Sequence, residues 1–258
     1  MKALIYAHYE AEGRILPYVT LFLRECYESG YAVIFISTSV IRPDHLHKIE
    51  PYCSVIRQVD NIGYDFYAWK TGLQAIPYQH FSQVILANSS IIGPLFPLSD
   101  VFRKMGQESV DFWGLTESFE FNYHLQSYFL AFNSKILQSP AFKSYWDRLQ
   151  PINDREQVIA RYELQLTEYF RQQGFVSAVY LTHKQIQQVR NPSLDYIPHN
   201  ATIRYPFELL ALKYPFVKIQ LLRDNPCQLD TGRLIREIND QTGYNMMELM
   251  GLPSQCPR

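Results

Sequence analysis

Asn61–Leu73 reads NIGYDFYAWKTGL, and its placement decides how the rest of the chain is organised. It follows the short apolar run Cys53-Ser-Val-Ile56 and precedes Gln83-Val-Ile-Leu-Ala87. The stretch therefore lies after one expected strand, and its second half has the composition of the next helix. In open α/β sheets, ligands bind outside the carboxyl ends of the strands, where such connections sit. Gly63 permits a positive φ or a close backbone approach. Asn61 and Asp65 bring short polar groups that suit either a helix cap or a ribose or base edge. Two readings stay open on these residues alone: a capped strand-to-helix turn, and a ligand-binding loop.

Working outward, Ala3-Leu-Ile-Tyr-Ala7 and Tyr31-Ala-Val-Ile-Phe-Ile36 are continuous apolar runs, the pattern of strands buried on both faces. Between them, Ile15, Tyr18, Val19, Phe22, Leu23 and Cys26 recur at helical spacing, and Gly30 ends the helix. A strand, helix and strand joined this way form a right-handed βαβ unit in a parallel sheet. Further strands are expected at Ser54–Ile56, Val84–Ala87, Asp111–Thr116, His124–Phe132 and Phe175–Leu181. Strict alternation in His124–Phe132 puts Leu125, Ser127, Phe129 and Ala131 on one face. A single long helix is expected over Asp154–Gln173, with an apolar arc from Val158 to Phe170 and Glu163 at its margin. The prolines and glycine of Ile91–Leu98 keep Asn88-Ser89-Ser90 on a loop at a strand's carboxyl end. The fold class is thus α/β: a Rossmann-like, mostly parallel central sheet flanked by helices, with a helical C-terminal part. No linker divides the 258 residues, so one domain over 1–258 is expected.

Hydrophobic residues make up 47% of the chain, enough for a sizeable core, and the 19 Tyr and 16 Phe favour large packed or stacking surfaces. A formal net charge of -1 provides no global basic field, which disfavours nucleic acid as a partner. Cys26, Cys53, Cys227 and Cys256 are scattered without C-x-x-C or zinc spacing, so free thiols in a reducing cytoplasm are expected. No stretch approaches the roughly 20 apolar residues of a membrane span, and the N-terminal apolar run is too short for a signal peptide.

Taken together, HYEAEGRILPYV, NIGYDFYAWKTGL, LANSSIIGPLFPL, DFWGLTES, HLQSYFLAF and YPFVKIQLLRDNP resemble, in order, the rhamnan synthesis protein F family. That resemblance covers about Ala7 to Pro226. It implies a GT-A-like glycosyltransferase of bacterial cell-wall rhamnan or lipopolysaccharide assembly. Residues 1–116 would then form the nucleotide-sugar half and 117–258 the acceptor half. The implied donor is a dTDP- or UDP-sugar, most plausibly dTDP-rhamnose. The acceptor would be a glycan or a lipid-linked oligosaccharide, bringing a cytoplasmic enzyme to the inner face of the membrane as a peripheral protein.

Such chemistry must hold a nucleotide, stabilise a departing diphosphate and deprotonate an acceptor hydroxyl. His8, Tyr9, Asn61, Gly63, Asp65, Lys70, Asn88, Ser89 and Ser90 are candidates for the nucleotide sugar. GT-A enzymes usually place an Asp-x-Asp metal site where this chain has Asn88-Ser89-Ser90, and the family commonly shows Asn-Asp-Ser there. The missing carboxylate leaves the use of magnesium or manganese open, since both prefer carboxylate oxygens. Backbone N–H groups, Lys70, Lys218 or Arg223 are alternative partners for the phosphates. Glu163 is the candidate base, with Asp111 in reserve. Trp113, His124, Gln126 and Ser127 are candidates for the acceptor. The rival class is a non-catalytic nucleotide- or glycan-binding protein on the same scaffold.

Overall fold

A computed structural model describes residues 1–253; Cys256 lies outside the described residues. Strands β1 (Lys2–His8), β2 (Tyr31–Ser37), β3 (Cys53–Gln58) and β4 (Gln83–Asn88) run parallel in the spatial order β3-β2-β1-β4. The sheet continues through β8 (Phe129–Asn133), antiparallel to β4, to β6 (Phe112–Ser118), which runs in the direction of β4. β7 (His124–Leu125) pairs antiparallel with the end of β6, and β9 (Ser177–Leu181) pairs parallel with it. The carboxyl ends of β1, β4, β6 and β9 therefore share one edge. A separate two-stranded ladder joins β5 (Ile91–Ile92) to β10 (Val217–Lys218).

Alternation along β1 feeds two cores. Leu4 and Tyr6 pack into a cluster with the helix Pro17–Glu28 and the C-terminal helices. Ala3, Ile5 and Ala7 face the helix Tyr64–Gln74 and the aromatic group around Phe142, Trp146 and Phe170. Burial of β1 on both faces explains its unbroken apolar run.

Two elements differ from the sequence expectation. His124–Phe132 is not one strand. Glu117 lies opposite Leu125 and Gly114 opposite Leu130, so Leu115 and Thr116 face four residues, Gln126–Phe129. The surplus forms a bulge that breaks the alternation and turns Tyr128 Oη onto Thr116 Oγ1. The long helix is also interrupted: Arg155–Val158 and Leu164–Gln172 are α-helical, but Ile159–Glu163 forms a π-helical turn. A π turn inserts an extra residue and shifts the helical phase, a feature frequent at functional sites.

Asn61–Leu73 supplies most of the helix Tyr64–Gln74, which is preceded by Gly63 at φ 69° and begins at Tyr64 with φ 53°. Its start has no side-chain cap, because the left-handed pair directs the chain toward Asn153, whose Oδ1 accepts from the Gly63 N–H at 3.0 Å. Trp69 Nε1 donates to the Ala87 carbonyl at 2.9 Å, fixing the helix to the end of β4. Gly72 makes the close approach possible, since a Cβ there would lie 2.3 Å from Ile5 Cγ2. Gly72→Ala is expected to overpack this contact and lower stability by about 1–3 kcal/mol. A reduced urea midpoint with an unchanged m-value would show it; an unchanged midpoint would refute the packing argument.

Candidate functional site

The polar centre lies at the carboxyl edge of the sheet, between β4, the start of the helix Tyr64–Gln74, the π turn and β10. Asn88 ends β4, and its Nδ2 donates to Asp65 Oδ2 at 2.7 Å. The Asn88 Oδ1 accepts from the Ser90 N–H at 3.1 Å and the Ser90 hydroxyl at 2.6 Å. The β5–β10 ladder places Lys218 opposite Ile91, and the Ile219 N–H closes the junction on the Ser90 carbonyl at 2.9 Å. Lys218 Nζ stands 4.4 Å from the centroid of the Tyr128 ring, and Tyr128 Oη meets Tyr214 Oη at 2.6 Å.

Charge concentrates here. Burial raises the Asp65 carboxyl to about 6, and the nearby Glu163 adds to the rise. The Lys218 ammonium, the Asn88 amide and the Arg155 guanidinium oppose it. Burial lowers the Lys218 pKa, while Glu163 and Asp65 pull it back up. The half-buried side chains of Asp65, Glu163 and Lys218 thus act on one another electrostatically, with the exposed Arg155 acting from the margin. Such an arrangement can receive an anion at Lys218 and a proton at a carboxylate.

Of the residues expected from sequence, Asp65, Asn88, Ser90, Glu163 and Lys218 come together. Gly63 and Tyr9 border them. The Tyr9 N–H donates to Ser89 Oγ at 3.2 Å, and the Tyr9 side chain is exposed. Ser89 itself faces inward: its carbonyl accepts from Tyr18 Oη at 2.9 Å. His8 lies buried beneath the edge, its Nδ1 3.0 Å from Ser37 Oγ, and desolvation lowers its pKa to about 4, so the ring is neutral. Asn61 is exposed on the loop before Gly63.

Other candidates lie elsewhere, for identifiable reasons. Lys70 Nζ donates to the Asp147 and Leu149 carbonyls at 3.1 and 2.8 Å, closing the end of the helix Pro140–Arg148. Asp111 precedes β6 and so sits at the opposite sheet edge, bonded to Lys135 Nζ at 3.0 Å and the Val176 N–H at 2.8 Å. Trp113 is sealed in the core against Phe129. His124 and Gln126 are buried, the former with Nδ1 3.0 Å from the Asn122 carbonyl and the latter accepting from Thr202 Oγ1 at 3.4 Å. Ser127 is half-buried within the bulge. Arg223 pairs at the surface with Asp224 through two 2.7 Å bonds. Sequence reasoning missed Tyr128, hidden by the bulge, and Arg155. The latter had one signal, a position eight residues before Glu163 on the same helical segment.

Residues 33–251 match the sequence profile of rhamnan synthesis protein F. The chain belongs to that family. This family member is 29% identical over 202 residues to the uncharacterized protein y4gN of Sinorhizobium fredii, a match covering 73% of this chain and 52% of that protein. It is 28% identical over 223 residues to virulence protein VirA of Vibrio anguillarum, covering 75% and 69% respectively. The chain thus spans about half the length of the first of these relatives. Among solved structures, the glycosyltransferase GlyE of Streptococcus pneumoniae aligns at a TM-score of 0.48 and 12% identity, covering 99% of this chain and 65% of that one.

The raised Asp65 carboxyl gives this family member a pH signature. Between the ordinary value of 3.8 and about 6, the native state holds a proton that the unfolded chain has released. Its contribution therefore falls as pH rises through that window. Asp65→Asn is expected to gain stability over the parent from pH 4 to pH 7, by a difference on the order of 1–3 kcal/mol. Urea titrations at both pH values test it, and a pH-independent difference would contradict the assigned burial.

Proposed function

We propose that the chain is a nucleotide-sugar glycosyltransferase of inverting type. It moves rhamnose from dTDP-rhamnose to a surface glycan or lipid-linked acceptor. The observation that carries this reading is the joining of Lys218, Asp65, Asn88 and Glu163 at the carboxyl edge of a Rossmann-like sheet in a rhamnan synthesis family member. The donor diphosphate sits against the Lys218 ammonium and the Asn88–Ser90 turn. Asp65 and the exposed rings of Tyr9 and Tyr64 face its nucleoside. Glu163 takes the proton of the acceptor hydroxyl as that oxygen attacks the anomeric carbon. The bond to the diphosphate breaks on the opposite face, and its electron pair leaves on the phosphate oxygen, where Lys218 meets the charge.

The residues do not fit a divalent cation. Among the described residues no group of three or more His, Cys, Asp or Glu side chains converges. Asn88 and Ser90 are neutral, and the Lys218 amine lies in the same field as the two carboxylates, where it repels a second cation. The cationic role falls to Lys218. No helix among the described residues is long and apolar enough to cross a membrane. The neutral Asn88–Ser90 loop also favours one rival reading, donor binding without transfer.

Transfer from dTDP-rhamnose to a rhamnan oligosaccharide, followed with and without EDTA, decides between them. Turnover is expected to survive EDTA. Lys218→Ala should lower kcat by about 10²–10³-fold, and Glu163→Gln by about 10²–10⁴-fold. A rate restored only by manganese would reject the lysine assignment, and an active Glu163→Gln protein would reject the base. Donor binding without turnover would support the rival.

A further inference from the structure

Five Tyr and Phe rings stand out to solvent among the described residues: Tyr9, Tyr27, Tyr64, Phe119 and Phe121. All but Tyr27 follow the carboxyl ends of strands that share the candidate-site edge, Tyr64 as the first residue of its helix and the others on loops. Tyr9 and Tyr64 flank the polar centre already described. Phe119 and Phe121 do not; they lie beyond β6, which is separated from β4 by β8. Two strand spacings put this second group roughly 10 Å to the side of Asn88.

Phe121 is held at φ 67°, a left-handed conformation uncommon for a bulky residue, and its ring is 86% exposed. Such a backbone persists only when its surroundings impose it, and it clusters at ligand sites. Here the Ser118 hydroxyl accepts from the Glu120 N–H at 3.1 Å, and the Asn122 N–H donates to the Glu120 carbonyl at 2.9 Å. Beside it the rings form a row. Tyr123 and Phe119 meet edge to face at 5.3 Å, Phe119 and His183 at 4.8 Å, and His183 stacks with Tyr196 at 6.3 Å.

The row has a polar anchor. Glu117 is buried, and its Oε1 accepts from the His183 N–H at 2.9 Å and from Nδ1 at 2.8 Å. With Nδ1 engaged by Glu117, Nε2 is the remaining polar atom of the ring. The His183 side chain is 39% exposed, so its ring edge is within reach of solvent. An apolar ring surface beside the exposed polar edge of His183 suits a pyranose, whose C–H face stacks on aromatics while its hydroxyls need polar partners.

We propose that Phe119, Phe121 and Tyr123, with the Glu117–His183 pair, form a subsite for a pyranose unit of the acceptor glycan, remote from the sugar being glycosylated. The assignment rests on the glycosyltransferase reading above, but its test does not require turnover. A linear rhamnan hexasaccharide, titrated calorimetrically into the full chain, is expected to bind. Phe121→Ala, which removes an exposed ring, should weaken binding about fivefold to tenfold. His183→Ala should weaken it as well, whereas Phe121→Trp should retain it. The thermal shift produced by dTDP should be the same in all four proteins.

Unchanged hexasaccharide affinity in Phe121→Ala and His183→Ala overturns the subsite, as does failure of the parent to bind. If dTDP gives no shift while the glycan binds and the variants lose it, the subsite stands and the donor-site reading falls.

Discussion

A carboxylate that loses water must be met by donors or opposite charge, and Asp65 imposes that constraint on every segment around it. Asn88 supplies the direct hydrogen bond at 2.7 Å. The same amide, through its oxygen, fixes the Ser90 backbone and hydroxyl. Ser90 in turn receives the chain entering the helix Ile219–Arg223, which places Lys218 within the field of Asp65. One charge balance therefore orders a strand end, a loop and a segment more than a hundred residues away. Glu163 works against that balance, and Lys218 offsets it together with Arg155 at the margin.

Sheet polarity explains why similar residues acquire different roles. Asp65 and Asp111 both adjoin apolar strands, yet only Asp65 follows a strand. Asp111 precedes β6 and falls at the opposite edge, where Lys135 and a backbone N–H give it a structural partnership. Glu117, seven residues before His124 and at the far end of the same strand, returns to the carboxyl edge and pairs with His183. Strand direction, more than residue type, separates these acids.

Much of the fold was legible because its signals are local. The apolar runs of β1, β2 and β4 are buried on both faces, and no surface requirement interrupts them. The candidate centre was legible to the extent that it follows strand ends: Asp65 opens the helix after β3, Asn88 ends β4 and Ser90 lies in the turn beyond it. What escaped was geometry that adds residues without changing composition. The bulge opposite Leu115–Thr116 broke the expected alternation and brought the Tyr128 ring against Lys218. Lys70 shows the same limit, since the carbonyls of Asp147 and Leu149 that claim it lie nearly eighty residues away.

The π turn at Ile159–Glu163 connects these points. In a regular helix, the apolar arc anchored by Leu166 and Phe170 would fix the direction of Glu163 at its margin. The extra residue of the π turn decouples the two, so Phe170 packs into the core while Glu163 joins the electrostatic field of Asp65, Lys218 and Tyr128. Tyr162 holds the turn in place: its hydroxyl donates to the Gln150 carbonyl at 2.9 Å and accepts from the Gln150 N–H at 3.0 Å. The Tyr162 carbonyl accepts from Tyr145 Oη at 3.1 Å. A helix built only for packing would not need this departure, because an unbroken α turn satisfies the same backbone groups without it. On the proposed reading, the interruption lets Glu163 serve the candidate site while Phe170 serves the core.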